Sequence, residues 1–246
     1  YMNRNKGKKF LFITPFLTEV ERGTQSCPDL HFVQPEAKNG RGKLRNIKTL
    51  LSKGFNIVST HALFRLFTTE IIDICRAKNY TLIMDEVSDV VEPYEVTDDD
   101  MEIILRDLAY VDEESNLLRW REDKLDYKGK YNDIKEKVSM QSLAMYGRSR
   151  KDIVLWLMPV QSFNAFKEVF ILTYLFEGQI QRYYYDFFQL PYDYLYVKGD
   201  TLADYEFTRE EQAQRIKYDY ESLIHICDNK KLNQIGDLKS DLSKNW

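Results

Sequence analysis

The sequence is poor in the residues that hold small folds together covalently or through metals. Its three cysteines, Cys27, Cys75 and Cys227, lie far apart, with no Cys-x-x-Cys, and its three histidines are dispersed. That excludes a disulfide framework and a zinc site of ordinary ligand spacing, and it fits a reducing, cytoplasmic compartment. No apolar run approaches the roughly 20 residues of a membrane span. The opening residues show no secretory signal pattern, so no membrane partner is expected. Internal repeats and low-complexity tracts are also missing. A net charge of −4 is mild and neither demands nor forbids a nucleic-acid partner, because a local basic groove can coexist with an acidic whole. The phosphate loop G-x-x-x-x-G-K-[S/T] does not occur. Gly40-Arg41-Gly42-Lys43-Leu44 has neither its spacing nor its hydroxyl, and Gly7-Lys8-Lys9 fails equally.

What is present is ample material for a core, with 43% hydrophobic and 14% aromatic residues in a 246-residue chain. Three apolar runs stand out in the first hundred residues: Phe10–Ile13, Phe55–Ser59 and Tyr80–Val87. Each is short and continuous, as a strand buried on both faces should be. Amphipathic stretches lie between them: Phe16–Arg22, Leu44–Lys53 closed by Gly54, Ala62–Leu66 and Ile71–Cys75. Strand, helix, strand, helix, strand predicts a mainly parallel α/β sheet flanked by helices.

The third run, YTLIMDEV, ends in Asp85 and Glu86. Two carboxylates at the carboxyl end of a buried strand lie where open α/β sheets place ligands. One could hold Mg²⁺ beside a phosphate chain and the other could orient or deprotonate a water. A solvated acidic turn accounts for the same residues.

Residues 98–151 change character and predict a mixed insertion of helices and a hairpin. The helix opens at Asp98–Asp100, and the hairpin joins Tyr110-Val111 to Leu117–Trp120. Gly147–Lys151 is a basic cluster, suited to a solvated loop or to a phosphate-backbone contact. Two further runs, Ile153–Met158 and Val169–Phe176, predict strands of the large domain, which would cover 1–97 and 152–200. The six tyrosines between Tyr174 and Tyr194 are expected mostly in the core. Tyr192–Val197 alternates like an edge strand, and Thr208 with Glu211 has capping-box spacing before a long helix, about 209–228, in a helical connector over 201–246. The chain opens at Tyr1 and stops at Trp246 in mid-pattern, so it is expected to be a piece of a longer protein.

Taken in order, TPFLTEVER (14–22), STHALF (59–64), LIMDEV (82–87) and ILTYLFEGQ (171–179) resemble motifs Ia, Ib, II and III of the DEAD-like superfamily 2 helicases, in particular the helicase-like ATPases of bacteriophages and mobile elements. The resemblance covers roughly residues 8–190. It implies a RecA-like sheet, ATP and Mg²⁺ as cofactors, DNA or RNA as partner, replication or mobile-element proteins nearby, and a bacterial host cytoplasm. It implies a metal-holding Asp85 and a water-activating Glu86. Thr14, Pro15, Arg22, Thr60 and His61 would touch the nucleic-acid backbone, and Thr173 and Gln179 would couple hydrolysis to movement. The Ser-Ala-Thr tripeptide of motif III is replaced by Leu172-Thr173-Tyr174. The phosphate loop and the second motor domain are expected outside this sequence, so the chain alone is expected to be inactive. Two alternatives stay open: a binding or scaffold protein that keeps the fold without its loop, and a Mg²⁺-dependent nuclease with Asp89 or Glu92 as third carboxylate.

Overall fold

A computed structural model describes residues 1–37, 42–147, 153–199, 201 and 204–210. The basic cluster beyond Gly147 and the long helix expected over 209–228 lie outside the described residues, save Arg209 and Glu210.

After a 3₁₀ turn at Met2–Arg4, strand β1 (Lys9–Thr14) leads into α1 (Leu17–Ser26) and α2 (Lys43–Lys53). Gly54 closes α2 at φ 80°, a left-handed cap whose N–H returns to the Leu50 and Leu51 carbonyls. Strand β2 (Ile57–Thr60) runs directly into α3 (His61–Phe64), because the Thr60 hydroxyl accepts the Leu63 N–H at 3.4 Å and caps the turn. α4 (Thr69–Ala77) and β3 (Tyr80–Asp85) follow. After them come β4 (Val91–Pro93), α5 (Asp98–Asp107), β5 (Ala109–Val111), β6 (Leu118–Trp120), α6 (Asn132–Ser139), β7 (Leu143–Tyr146) and β8 (Ile153–Leu157). α7 (Gln161–Asn164), β9 (Glu168–Leu172) and α8 (Ile180–Phe187) complete the first compact unit, which spans Tyr1–Pro191.

The main sheet has four strands in the order β2-β1-β3-β9, and every pairing is parallel. Along β1 the side chains alternate between its faces. Phe10 and Phe12 join Val20, Cys27 and Leu30 on the α1 side, together with Val58 and Ile83 from the neighbouring strands. Leu11 and Ile13 point the other way and are fully buried, as are Ile47 and Leu51 of α2 and Ile71, Ile72 and Cys75 of α4. Both faces are therefore covered, which is why the runs read as continuous rather than alternating.

Burial also governs the cysteines. It pushes the Cys75 thiol from its ordinary 9.0 up to about 12, and Cys27 upward as well. A raised acid keeps its proton in the folded state, so the Cys75 contribution to stability is complete below about pH 9 and is lost as pH rises toward 12. Iodoacetamide at about pH 8 is expected to label Cys75 only after denaturation, as read by peptide mass spectrometry; labelling at equal rates in native and unfolded chains would contradict this packing.

Residues 91–157 build a sheet of their own. β8 does not join the parallel sheet; it is the centre of an antiparallel sheet in the order β4-β8-β7. β5 and β6 form the hairpin, and a bridge from Leu117 to Ala144 ties it to β7. This sheet spans β4 to β8, where an insertion over 98–151 was expected and β8 was expected in the parallel sheet. The physical reason is that β8 is covered on both sides, by Leu117, Ala144 and Phe188 in one cluster and by Ile104, Leu118 and Val138 in another. A central antiparallel strand in that position has the same apolar run as a parallel one. The Tyr174–Tyr194 excess also divides differently: Tyr184 and Tyr185 are buried, but Tyr174 and Tyr183 are exposed.

A second compact unit begins at Tyr192. Its described part holds an antiparallel pair, β10 (Tyr196–Lys198) with β11 (Glu206–Thr208), and β10 starts four residues beyond the start of the strand expected over Tyr192–Val197.

Candidate functional site

Four parallel strands deliver their carboxyl ends to one edge, and the register fixes which residues meet there. Thr14 is level with Thr60 across β1–β2, and Asp85 with Leu172 across β3–β9. Thr14 is fully buried, and its hydroxyl donates to Asp85 Oδ2 at 3.4 Å. His61 Nε2 lies 2.9 Å from the backbone carbonyl of Asp85. A carbonyl can only accept, so Nε2 carries a proton; Nδ1 is buried without a partner among the described residues. Thr173 donates to Glu86 Oε2 at 2.9 Å, and the Glu86 N–H reaches the Leu172 carbonyl at 2.9 Å.

The backbone turns sharply at this point. Glu86 sits at φ 67°, in the left-handed region. For a residue other than glycine or asparagine this costs on the order of 1–2 kcal/mol, and the cost aims the Glu86 carboxylate away from β3 and toward Thr173. Asp85 is half-buried and Glu86 exposed. Neither forms an ion pair among the described residues. The arrangement thus holds two carboxylates open on one rim, each steadied by a single hydroxyl.

The other residues singled out in the sequence divide. Thr173 belongs to the rim, but it lies just past the end of β9 and not within a strand. The chain leaves the sheet at Leu172, and Leu175 turns it at φ 49°. Thr60 caps α3 and lines up beside Thr14. Pro15 is exposed immediately after β1. Arg22 lies further along α1, exposed, and pairs with Glu19 at 2.5 Å; among the described residues no ion pair joins it to Asp85 or Glu86. Gln179 opens α8 and donates to the Tyr174 carbonyl at 3.4 Å, within the turn that follows Thr173.

Sequence reasoning missed Gln181. It is 1% exposed, and its Oε1 accepts the Ser88 N–H at 2.8 Å, which pins the loop after Glu86 to α8. A signal existed: Gln181, Tyr184 and Tyr185 share the i, i+3, i+4 face that is buried, so a polar side chain there needs a partner. Arg65 was missed too. It pairs with Glu92 through two nitrogens, approaches Asp89 at 4.0 Å, and lies over the Trp156 ring at 4.9 Å from its centroid. Asp89 and Glu92, the acids needed for a third nuclease carboxylate, are therefore engaged by Arg65 and not by Asp85. Among the described residues no group of three or more His, Cys, Asp or Glu is arranged to hold a metal.

With this geometry in hand, comparison with known proteins adds two findings. A family described as "YonV middle domain" matches residues 91–156. That span is the insertion from β4 to β8 to within one residue. The chain is similar to a prophage protein. The "SPbeta prophage-derived uncharacterized protein YonV" of Bacillus subtilis (strain 168) is 32% identical over 251 residues, which cover 98% of this chain and 60% of that protein. The chain thus spans about three-fifths of the length of this curated relative. No solved structure matches it. Among the described residues no helix is long and apolar enough to cross a membrane.

Proposed function

We propose that this chain is part of the motor domain of a nucleic-acid-dependent ATPase, with a RecA-like sheet whose acidic rim is half of an ATP site. The observation that carries the reading is the convergence at one sheet edge of Thr14 on Asp85, His61 on the Asp85 carbonyl, and Thr173 on Glu86. These contacts join all four segments that resemble helicase motifs. The similarity to a prophage protein is compatible with the mobile-element setting.

In this reading Asp85 is the Mg²⁺ ligand. The donor chemistry fits: Mg²⁺ favours one or two carboxylates plus phosphate oxygens and waters, and Asp85 offers a carboxylate with no cation already on it. Bound Mg²⁺ would neutralise charge developing on the phosphates. The chain's own residues do the rest. The Thr14 hydroxyl fixes the Asp85 rotamer, and His61 fixes its backbone. Thr173 orients Glu86, which accepts a proton from the attacking water or holds that water in line. In this reading Thr14, Pro15, Arg22, Thr60 and His61 would meet the DNA or RNA backbone, and Thr173 with Gln179 would couple hydrolysis to movement. The setting is the cytoplasm of a bacterial host, beside replication or mobile-element proteins.

A second reading, a binding or scaffold protein, draws on the lack of a phosphate loop in these 246 residues. Phosphate release separates the two, measured on a longer protein that joins this chain to the expected phosphate loop and second motor domain. With Mg²⁺, ATP and single-stranded DNA or RNA, the motor reading expects hydrolysis stimulated by one of the nucleic acids. Absence of release with either would favour the scaffold.

A further inference from the structure

The insertion carries a groove unrelated to the acidic rim. It is an open groove of about 840 Å³ between α5 and the β4-β8-β7 sheet. Met101, Leu105 and Ile153 supply its apolar floor, and Glu95, Asp98 and Glu102 its acidic side. Ile153 is 51% exposed although it opens a strand of the insertion's sheet.

The placement of charge is selective. Asp100 is matched by Lys130 at 2.7 Å, and Asp133 by Lys137 at 2.6 Å. Glu95, Asp98 and Glu102 have no ion-pair partner among the described residues, and all three are exposed. Asp98 and Glu102 are four residues apart on α5, and so are Met101 and Leu105. Each pair therefore lies about 6 Å apart along the helix axis, and an acidic row and an apolar row run side by side.

We propose that this groove docks a basic amphipathic helix of a partner protein, with Lys or Arg on the acidic row and aliphatic side chains on the Met101–Leu105–Ile153 floor. The paired rows select this occupant. A compact cation would meet one carboxylate and leave the floor bare. Nucleic acid would be repelled by all three. Methionine in the floor adapts to side chains of differing shape. The proposal is independent of ATP chemistry and concerns the residues that the YonV middle-domain family covers.

The test uses the whole 246-residue chain and a synthetic Lys/Leu helical peptide of about 14 residues, long enough to form a helix on docking. Fluorescence anisotropy is expected to show saturable binding of the Lys/Leu peptide and none of a Glu/Leu peptide. The triple variant Glu95→Gln, Asp98→Asn, Glu102→Gln is expected to weaken binding about tenfold or more. The variant Ile153→Ser is expected to weaken it at unchanged ionic strength. These positions are exposed, so an unchanged melting transition verifies folding. Equal affinity in the triple variant overturns the proposal, as does an effect of salt and charge with none from Ile153→Ser, which would mean diffuse electrostatic attraction. A control, Glu113→Gln with Glu114→Gln, is expected to leave binding unchanged; an equal loss there also counts against the groove.

Discussion

Glu86→Gln in the longer protein is expected to lower ATP turnover by about a hundredfold or more while ATP binding persists. The substitution keeps the side chain's length and its ability to accept from Thr173, which now reaches Glu86 Oε2 at 2.9 Å. It removes the negative charge and the basic oxygen. Binding should survive because the metal ligand of the proposed site is Asp85, held by its own contacts to Thr14 and His61. A drop in turnover with unchanged nucleotide affinity, measured by phosphate release and by titration of a fluorescent ATP analogue, is the expected pair of results. Ordinary turnover in the variant would remove Glu86 from the chemistry. Loss of binding and turnover together would mean that the residue shapes the site without acting as its base.

The largest effect on stability is expected at Leu82. It is fully buried in β3, level with Leu11 of β1 on one side and Val169 of β9 on the other. A neighbouring strand closes each flank and the sheet faces are covered, so the surroundings have little room to collapse. Leu82→Ala is therefore expected to cost about 2–5 kcal/mol, a large share of the 5–15 kcal/mol that typically holds a folded domain. Leu125 is 62% exposed, and Leu125→Ala is expected to stay within about 0.5 kcal/mol. Urea unfolding of both variants measures the difference; equal midpoints would mean that β3 is not the buried strand described.

Much of this fold was legible because hydrophobic burial writes itself into sequence locally. β1, β2 and β3 are covered on both faces, so each leaves an uninterrupted run, and the helices between them leave amphipathic spacing. α5 announces itself through its three leading acids, and in the fold the Thr97 hydroxyl caps it by accepting the Asp100 N–H at 3.2 Å. The β5–β6 hairpin is equally local, since Asp112 accepts from the Glu114 and Ser115 N–H groups at 3.1 Å each and shapes the turn.

What sequence hid was partner choice. β8 has the composition of a core strand, and nothing in Ile153–Leu157 says whether its neighbours are parallel or antiparallel. β4 has only three residues, too few for a period. At the site, Asp85 and Glu86 were visible as adjacent acids. The His61 contact was not, because it is made to a backbone carbonyl. The Gln181–Ser88 bond spans 93 positions and is equally silent in the sequence. The apolar run through Val169–Phe176 concealed its own end, since Leu175 takes a left-handed turn that leucine rarely adopts.

The central claim is that the Asp85–Glu86 rim belongs to a nucleotide site. A ligand that binds only the folded state raises its stability, by about 2.7 kcal/mol at a hundred times its dissociation constant. Thermal unfolding of the longer protein with Mg²⁺-ATP is the direct measurement. A raised melting temperature is expected for the unaltered protein and for Glu86→Gln, and a much smaller rise for Asp85→Asn. No rise in the unaltered protein, or an undiminished rise in Asp85→Asn, would contradict that claim.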